Sequence, residues 1–295
     1  MNTDVFTIFR QIVNDKVLKL MVEQTNIYGR RLKERALGEF SRIKRWTDVT
    51  EQEMLKFLGM VLFTGLVKLP TLESYWKKNP LYFHPLMHNI NLSYNRYCIL
   101  LKCWHFADNE APRNDDDRLY KIKPLVDLIM ENGHAIYTPG RVIVVDKSMV
   151  HFRGRLCFRQ YIPSKAHKYG VKIYKLCTID GFVWEYEIYY GISQRVYDLD
   201  LSGSIVARLA ENLLDEGRLI ITDNFYTSVP LANFLKTRRT DLLGTVNKMR
   251  RGLPQQVTGS KLKKGEIAAM QKGNITVLKW HDKRDVLLLS TCNGK

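Results

Sequence analysis

Two aspartates, Asp146 and Asp223, stand where carboxylates can do chemistry. Asp146 follows an apolar run that predicts a buried strand, and Asp223 ends a second short strand predicted at 218–222. A charge in a buried strand is costly unless it is paired or binds metal, and sites in open α/β sheets gather at the carboxyl ends of strands. Mg²⁺ and Mn²⁺ prefer oxygen ligands, and two such ions about 3.5–4 Å apart can cleave a phosphodiester. The structural alternative is that Asp146 starts a turn and Asp223 caps a helix.

The elements around these aspartates predict an α/β fold with a helical part first and one mixed sheet after it. Apolar periodicity and capping residues predict helices at 5–21, 54–67 (capped by Thr50 with Glu53), 93–104 (capped by Ser93) and 125–132 (ended by Gly133). After a Pro-Gly turn at 137–140, we predict strands at 141–150, 155–162, 171–179, 182–190, 218–222, 242–246, 275–280 and 286–290, with helices at 199–214 and 228–235. The turn places the domain boundary between residues 139 and 140.

The charge of the chain favours a polyanionic partner. It has 295 residues with a formal net charge of +16, and the excess lies mostly after residue 140. Between Lys147 and Ile179 there are basic residues and no acid, with tyrosines interleaved. Such a surface suits DNA phosphates, because neutralising them releases counterions, although a solvated basic face without a partner is the alternative.

Other function classes are disfavoured. The apolar run Phe57–Val67 is too short to span a bilayer, so we expect no membrane partner, and the N-terminus lacks the pattern of a signal peptide. Five cysteines without a CxxC pair argue against a disulfide framework. The pairs His84 with His88 and Cys98 with Cys103 suit a surface and a helix core better than a metal site.

Several longer motifs resemble those of piggyBac-type transposases and the host proteins derived from them. The first acidic motif is VVDKSMVHFRGR (144–155), followed by RQYIPSKAHKYGVKIYKL (159–176). The second acidic motif is ITDNFYTSVPLANFL (221–235), and NRYCILLKCWHFADNE (95–110) resembles the segment before the family's core. The similarity covers nearly the whole chain, and the two acidic motifs are specific at this spacing.

The resemblance implies an RNase H-like core with three catalytic aspartates and divalent metal, acting on DNA ends at TTAA sites. Asp146 and Asp223 match the first two acids and would hold Mg²⁺ or Mn²⁺. The third acid, in a Gly-Gly-x-Asp setting, has no counterpart in this sequence, and the late acids Asp282 and Asp285 are poor replacements. We therefore expect a truncated core at 140–295, with the start of an insertion at about 247–280.

These features predict a DNA-binding protein derived from a piggyBac transposase, domesticated or fragmentary, without strand cleavage. The alternative is an active metal-dependent transposase or endonuclease completed by another acid or a longer isoform. Residues 1–139 would form a helical domain for dimerisation and DNA contact, and a protein of this kind is expected in the nucleus. The residues expected to bind DNA phosphates are Arg153, Arg155, Arg159, Lys165, Lys168 and Lys172.

Overall fold

The computed structural model describes residues 4–36, 38, 40–112, 117–163, 168–191 and 194–292. The chain packs into two compact units, Met1–Ile136 and Tyr137–Lys295. The first unit is helical, and the second carries a sheet. The roles in dimerisation and DNA contact that the sequence suggests for these parts remain predictions. No helix within the described ranges has the length and apolar character needed to cross a bilayer.

The helices of the first unit pack around a core that includes Trp46, Met54, Phe57 and Leu100, all essentially buried. They are α1 (Val5–Ile12), α2 (Asp15–Glu34), α3 (Glu51–Leu66), α4 (Pro85–Asn89), α5 (Tyr94–Cys103) and α6 (Lys123–Ile136). The predicted caps are confirmed: the Thr50 hydroxyl accepts a hydrogen bond from Glu53 N, and the Ser93 hydroxyl accepts one from Arg96 N, each at 3.2 Å.

Two helix boundaries in this unit differ from the prediction. The single helix expected at 5–21 is two helices, because the Asn14 side chain accepts a hydrogen bond from Val17 N at 3.1 Å and starts α2. The Asn14 amide also donates to the Asn132 side chain on α6, which fixes the break. The helix expected at 125–132 runs on to Ile136, so that Gly133 lies inside it, buried, and does not end it.

The second unit is built on one mixed sheet, as predicted, with nine strands in the part of the chain that the structure describes, one more than the eight expected. Its strands are β1 (Val142–His151), β2 (Gln160–Tyr161), β3 (Tyr169–Thr178), β4 (Val183–Ile188), β5 (Leu219–Thr222), β6 (Asp241–Thr245), β7 (Ile267–Lys272), β8 (Ile275–His281) and β9 (Asp285–Ser290). They lie in the order β2-β3-β1-β5-β6-β9-β8-β7, with β4 pairing with β3. Strands β1, β5 and β6 are parallel, and the other pairs are antiparallel.

The α-helices that accompany the sheet in the described ranges are α7 (Leu201–Ala210), α8 (Val229–Thr237) and the short α9 (Gln255–Thr258). Ile205 and Leu209 of α7 and Leu231 of α8 are buried against strand residues such as Ile143 and Ile220. Branched side chains in β1 and β5 and apolar helix faces thus form one core, which holds the carboxyl ends of the parallel strands in fixed register.

Two segments of this unit differ from the sequence prediction. The strand expected at 155–162 is reduced to Gln160–Tyr161, because the residues before it form a loop. The segment at about 247–280, expected to begin an insertion, contains α9, β7 and most of β8. Strands β7 to β9 extend the same sheet through the pairing of β9 with β6.

Candidate functional site

Asp146 and Asp223 are adjacent at the point where the parallel pairing of β1 with β5 ends. The last paired positions of β1 and β5 are Val145 and Thr222, and each aspartate is the next residue. Neighbouring strands lie about 4.8 Å apart, so this register places the two aspartates side by side. The geometry that the sequence predicted for this pair is therefore present, although their catalytic role remains a prediction.

The surroundings of Asp146 differ from the expectation of a buried charge. Ile143 and Val145 are buried on the core face of β1, whereas alternation turns Asp146 to the other face, where it is exposed. Its Oδ1 accepts a hydrogen bond from Lys147 N at 2.7 Å, and its Cα partner across the sheet is Lys175 of β3. Asp146 lies within a strand that continues to His151, so the alternative in which it starts a turn is wrong.

A tight turn after β5 holds Asp223. Its Oδ1 accepts a hydrogen bond from Phe225 N at 3.0 Å, and its carbonyl accepts hydrogen bonds from the backbone N–H groups of Tyr226 and Thr227, each at 3.1 Å. Helix α8 is capped instead by Ser228, whose hydroxyl accepts from Leu231 N at 3.3 Å. The alternative role of Asp223 as the cap of this helix is therefore wrong, and its second oxygen is left for other partners.

Close packing against β6 also fixes the turn that holds Asp223. The hydroxyls of Thr222 and Thr227 share a hydrogen bond at 2.7 Å. Gly244 of β6 lies against them, and a Cβ at this position would come within 2.4 Å of the Thr222 carbonyl and of the Thr227 hydroxyl. A glycine is therefore required here for the strands to bring Asp223 to its place.

Lys147 faces the second aspartate. Its Nζ lies 3.2 Å from Asp223 Oδ2, and it lies 4.1 Å from the ring centroid of Phe225 and 5.6 Å from that of Tyr226. The Lys147 side chain is 26 % exposed and that of Asp223 is 40 % exposed, so the contact is partly screened by water. The ammonium group thus neutralises one of the two carboxylates.

Tyr226, three residues after Asp223, supplies a buried phenol. The residue is fully buried, and within the described residues its hydroxyl has no hydrogen-bond partner. Burial, and after it the negative charge of Asp223, raises the pKa of Tyr226, with smaller contributions that include Asp146. The phenol therefore remains protonated. The sequence did not identify Tyr226 as a site residue, because a tyrosine among apolar residues is expected in the hydrophobic core.

The chemistry of the donors fits a hard divalent cation, but their number is small. Carboxylate oxygens of Asp146 and Asp223 are the ligand type that Mg²⁺ and Mn²⁺ take. Within the described residues there is no group of three or more His, Cys, Asp or Glu side chains arranged to hold a metal. Asp285, one of the late acids, instead contacts His281 Nδ1 at 2.6 Å and Lys279 Nζ at 2.8 Å.

Most of the predicted phosphate-binding residues lie on the surface. Arg153, Arg155, Arg159 and Lys168 are exposed around the loop between β1 and β2 and at the start of β3. Lys165 lies outside the described residues. The exposed arginines and Lys168 therefore present positive charge to solvent near β2, at one end of the strand order.

Lys172 differs from these exposed cations. Its Nζ lies over the rings of Tyr174, Tyr189 and Phe225, at 4.6, 5.5 and 5.1 Å from their centroids. Burial, and after it the charge of Lys147, lowers the pKa of Lys172. This side chain is better placed to support Phe225 than to reach a phosphate in solvent.

Arg250 connects three segments beside the aspartates and was not found from the sequence. It contacts Asp200 Oδ2 at 2.5 Å and donates to the Ser202 hydroxyl at 3.1 Å and to the Phe225 carbonyl. A cleft of about 660 Å³ lies here, and Arg195 and Asn247 also line it. No sequence signal identified Arg250, since the partners of one arginine in a basic segment depend on the tertiary fold.

Each of the two pairs that the sequence disfavoured as metal ligands contains a residue with a role in the fold. His84 Nδ1 accepts a hydrogen bond from Leu86 N at 3.3 Å and so starts α4. Cys103 is buried in the core of the first unit, and burial raises the pKa of its thiol to about 11.

Comparison with known proteins identifies the family to which this chain is similar. A family model described as Transposase IS4 matches residues 5–295. The chain is 26 % identical over 257 residues to the human PiggyBac transposable element-derived protein 2, covering 84 % of this chain and 43 % of that protein. It is 25 % identical over 308 residues to the human PiggyBac transposable element-derived protein 3, covering 99 % of this chain and 50 % of that protein.

A solved structure is similar over the whole chain. It is the cryo-EM structure of a piggyBac transposase synaptic complex with hairpin DNA, with a TM-score of 0.84 and 25 % identity over 100 % of this chain and 62 % of that one. The chain spans about half the length of the curated relatives it matches. The family match, the relatives and the shared RNase H-like fold together show that this chain belongs to the piggyBac-type transposase family.

Proposed function

We propose that this chain is a DNA-binding protein derived from a piggyBac transposase, in which strand cleavage is lost or very weak. The observation that carries the proposal is the contact of Lys147 with Asp223. A lysine ammonium occupies one of two carboxylates, and no third acid joins them among the described residues. Two-metal cleavage needs carboxylates that are free to bridge metal ions, so this arrangement favours binding over cutting.

DNA binding would rest on the exposed cations Arg153, Arg155, Arg159 and Lys168. Each phosphate that they neutralise releases counterions, which makes affinity fall steeply as salt rises. Fluorescence anisotropy with a duplex at increasing salt tests this. Arg153→Gln with Arg155→Gln should reduce the slope of log affinity against log salt by about one for each phosphate that the variant no longer neutralises.

The matched control removes two exposed charges elsewhere. Lys283 and Arg284 lie exposed in the turn between β8 and β9. Lys283→Gln with Arg284→Gln changes the net charge equally and should leave the slope closer to that of the unsubstituted protein. An equal effect of both double variants would contradict a localised phosphate-binding surface and indicate binding through net charge alone.

Asp146 and Asp223 would hold Mg²⁺ or Mn²⁺ if a metal binds. When bound, the metal would polarise the phosphate and lower the pKa of a water molecule. Lys147 would have to move from Asp223 to admit it.

A second candidate is an active metal-dependent endonuclease or transposase, completed by another acid or by a longer form of the chain. The adjacency of Asp146 and Asp223 where the pairing of β1 with β5 ends favours it. A nicking assay with Mg²⁺ or Mn²⁺ on hairpin-capped and TTAA-flanked DNA separates the two candidates. Nicking that requires metal and disappears in Asp146→Ala would overturn the binding-only proposal.

Nuclear localisation and a homodimer are part of the same proposal. Val5, Phe6 and Ile8 on α1 are at least half exposed, which is an apolar surface of the kind that associates. Imaging of a fluorescent fusion tests the localisation. Sedimentation of the chain and of a Phe6→Ser variant tests the dimer, since a dimer through α1 should dissociate in the variant.

A further inference from the structure

Two tyrosines are paired at the β2 end of the sheet. Tyr161 of β2 and Tyr169 of β3 are directly opposite each other in the antiparallel register. Their ring centroids are 4.8 Å apart, with 38° between the ring planes. The residues are nevertheless 54 % and 41 % exposed. A cross-strand aromatic pair stabilises a hairpin, but it does not require so much aromatic surface to face water.

An arginine extends this aromatic pair. The Arg159 guanidinium lies 4.9 Å from the centroid of the Tyr169 ring. Its Nη1 donates hydrogen bonds to the carbonyls of Arg153 and Gly154, at 2.9 and 3.1 Å. These bonds hold the guanidinium against the ring, so the site is formed before any ligand arrives.

The position in the sheet leaves this group accessible from one side. Strand β2 is at one end of the strand order, and Arg153, Arg155 and Lys168 are exposed in the segments that flank it. Aromatic faces next to cations are the features with which proteins hold single-stranded nucleic acid, because the rings stack on bases and the cations contact the backbone.

A duplex cannot use such a site fully. Its bases are stacked and paired, so only its phosphates reach the surface cations. An unpaired base has a free face, which can stack on Tyr161 or Tyr169 while the adjacent phosphates contact the arginines. The exposed aromatic pair therefore favours DNA with unpaired bases.

We propose that Tyr161, Tyr169 and Arg159 form a stacking site for unpaired nucleobases, so that this surface binds single-stranded DNA segments next to a duplex. The inference rests on the proposed DNA binding and deepens it by naming the form of DNA recognised. A second observation makes the site distinct from a general basic face, since Lys172, which also contacts tyrosine rings, is half-buried.

The experiment compares three DNA ligands by anisotropy with the full chain. The ligands are a blunt duplex, the same duplex with a single-stranded overhang of about 8 nucleotides, and that duplex with an abasic overhang of equal length. The abasic overhang keeps the added phosphates and removes the bases. We expect the overhang with bases to bind about tenfold more tightly than the abasic one, because a base stacked on an aromatic ring contributes on that scale.

Variants then locate the effect. Tyr161→Leu with Tyr169→Leu should abolish the difference between the overhang with bases and the abasic overhang, whereas Tyr161→Phe with Tyr169→Phe should retain it. Trp280→Leu is the control, because Trp280 is 41 % exposed on β8, towards the other end of the strand order. It should leave the difference unchanged.

The outcomes separate this inference from the proposed function. Equal affinity for the base-containing and abasic overhangs, with salt-dependent duplex binding intact, overturns the stacking site and leaves the DNA-binding proposal standing. Absence of binding to all three ligands overturns both. The comparison of ligands uses the unsubstituted protein, so it decides the question even if the leucine variant does not fold.

Discussion

The Lys147 ammonium lies 3.2 Å from Asp223 Oδ2, at the point where β1 and β5 bring two aspartates together. The lysine comes from the residue directly after Asp146, so the first acidic motif contributes both a carboxylate and the cation that faces the second carboxylate. A divalent metal at this site must therefore compete with a lysine that the fold itself supplies.

Removing that lysine should strengthen metal binding. We expect Lys147→Met to raise the affinity for Mn²⁺ about fivefold, since a partly exposed ion pair contributes about 1 kcal/mol at most. Titration of free Mn²⁺ by electron paramagnetic resonance measures this. Lys168→Met, which removes an exposed charge from the start of β3, is the control and should have a smaller effect. Unchanged or weaker Mn²⁺ binding in Lys147→Met would contradict the competition.

Arg250 should stabilise the second unit more than the neighbouring Arg251 does. Arg250 contacts Asp200, Ser202 and the Phe225 carbonyl, whereas Arg251 is exposed. We expect Arg250→Ala to lower the free energy of unfolding by about 1–3 kcal/mol, because it leaves charged and polar partners without a donor. Arg251→Ala removes the same charge and should change it by less than about 0.5 kcal/mol. Urea denaturation followed by circular dichroism measures both, and equal effects would count against the bridging role.

Two helical glycines in the first unit should respond in opposite directions to alanine. A Cβ on Gly29 of α2 would lie 2.2 Å from the ring of Trp46, which is buried. Gly29→Ala should therefore destabilise the unit by about 1–3 kcal/mol through overpacking. Gly59 of α3 is exposed and has open space around it, so Gly59→Ala should stabilise by about 0.5–1 kcal/mol. Thermal unfolding compares them, and the same sign for both would refute the packing argument.

The stability of the second unit should fall in acid partly through Asp200. Burial raises the pKa of Asp200, but hydrogen bonds from Gly203 N, Ser202 and Arg250 outweigh it and leave that pKa below its ordinary value. A lowered pKa stabilises the folded state above the unfolded pKa of about 3.9, and this contribution is lost as pH falls through the folded pKa.

Asp200→Asn tests this pH dependence, because asparagine can still cap α7 and cannot titrate. The free energy of unfolding between about pH 6 and pH 3 should fall less steeply in the variant. The control is Asp198→Asn, at an exposed neighbouring position. The pH dependence of the free energy of unfolding should be reduced more in Asp200→Asn than in Asp198→Asn. A steeper fall in Asp200→Asn would reverse the expected sign.

The sequence predicted the parts of this fold that depend on local pattern. The caps Thr50 and Ser93 were found because a hydroxyl three residues before a helical N–H is a local signal. The β-branched run before Asp146 predicted β1, and the order of elements predicted a mixed sheet. The parallel pairing of β1 with β5, which brings the two aspartates together, is a finding of the structure.

Features that depend on distant partners could not be predicted. The break at Asn14 depends on Asn132, and the position of Arg250 depends on Asp200 and Phe225, which no short motif reveals. Asp146 was expected to be buried because apolar residues precede it. Whether each face of a strand is covered depends on helix placement, which the sequence pattern does not fix.

Because Asp146 is exposed, the stability of the fold depends little on this side chain. Because its carboxylate faces solvent and the strand is held by backbone pairing, replacing it should change the free energy of unfolding only slightly. A chain of this fold can therefore lose or regain that carboxylate without losing its structure. Mutational drift at this site is therefore constrained by the function of the carboxylate and hardly at all by the need to fold.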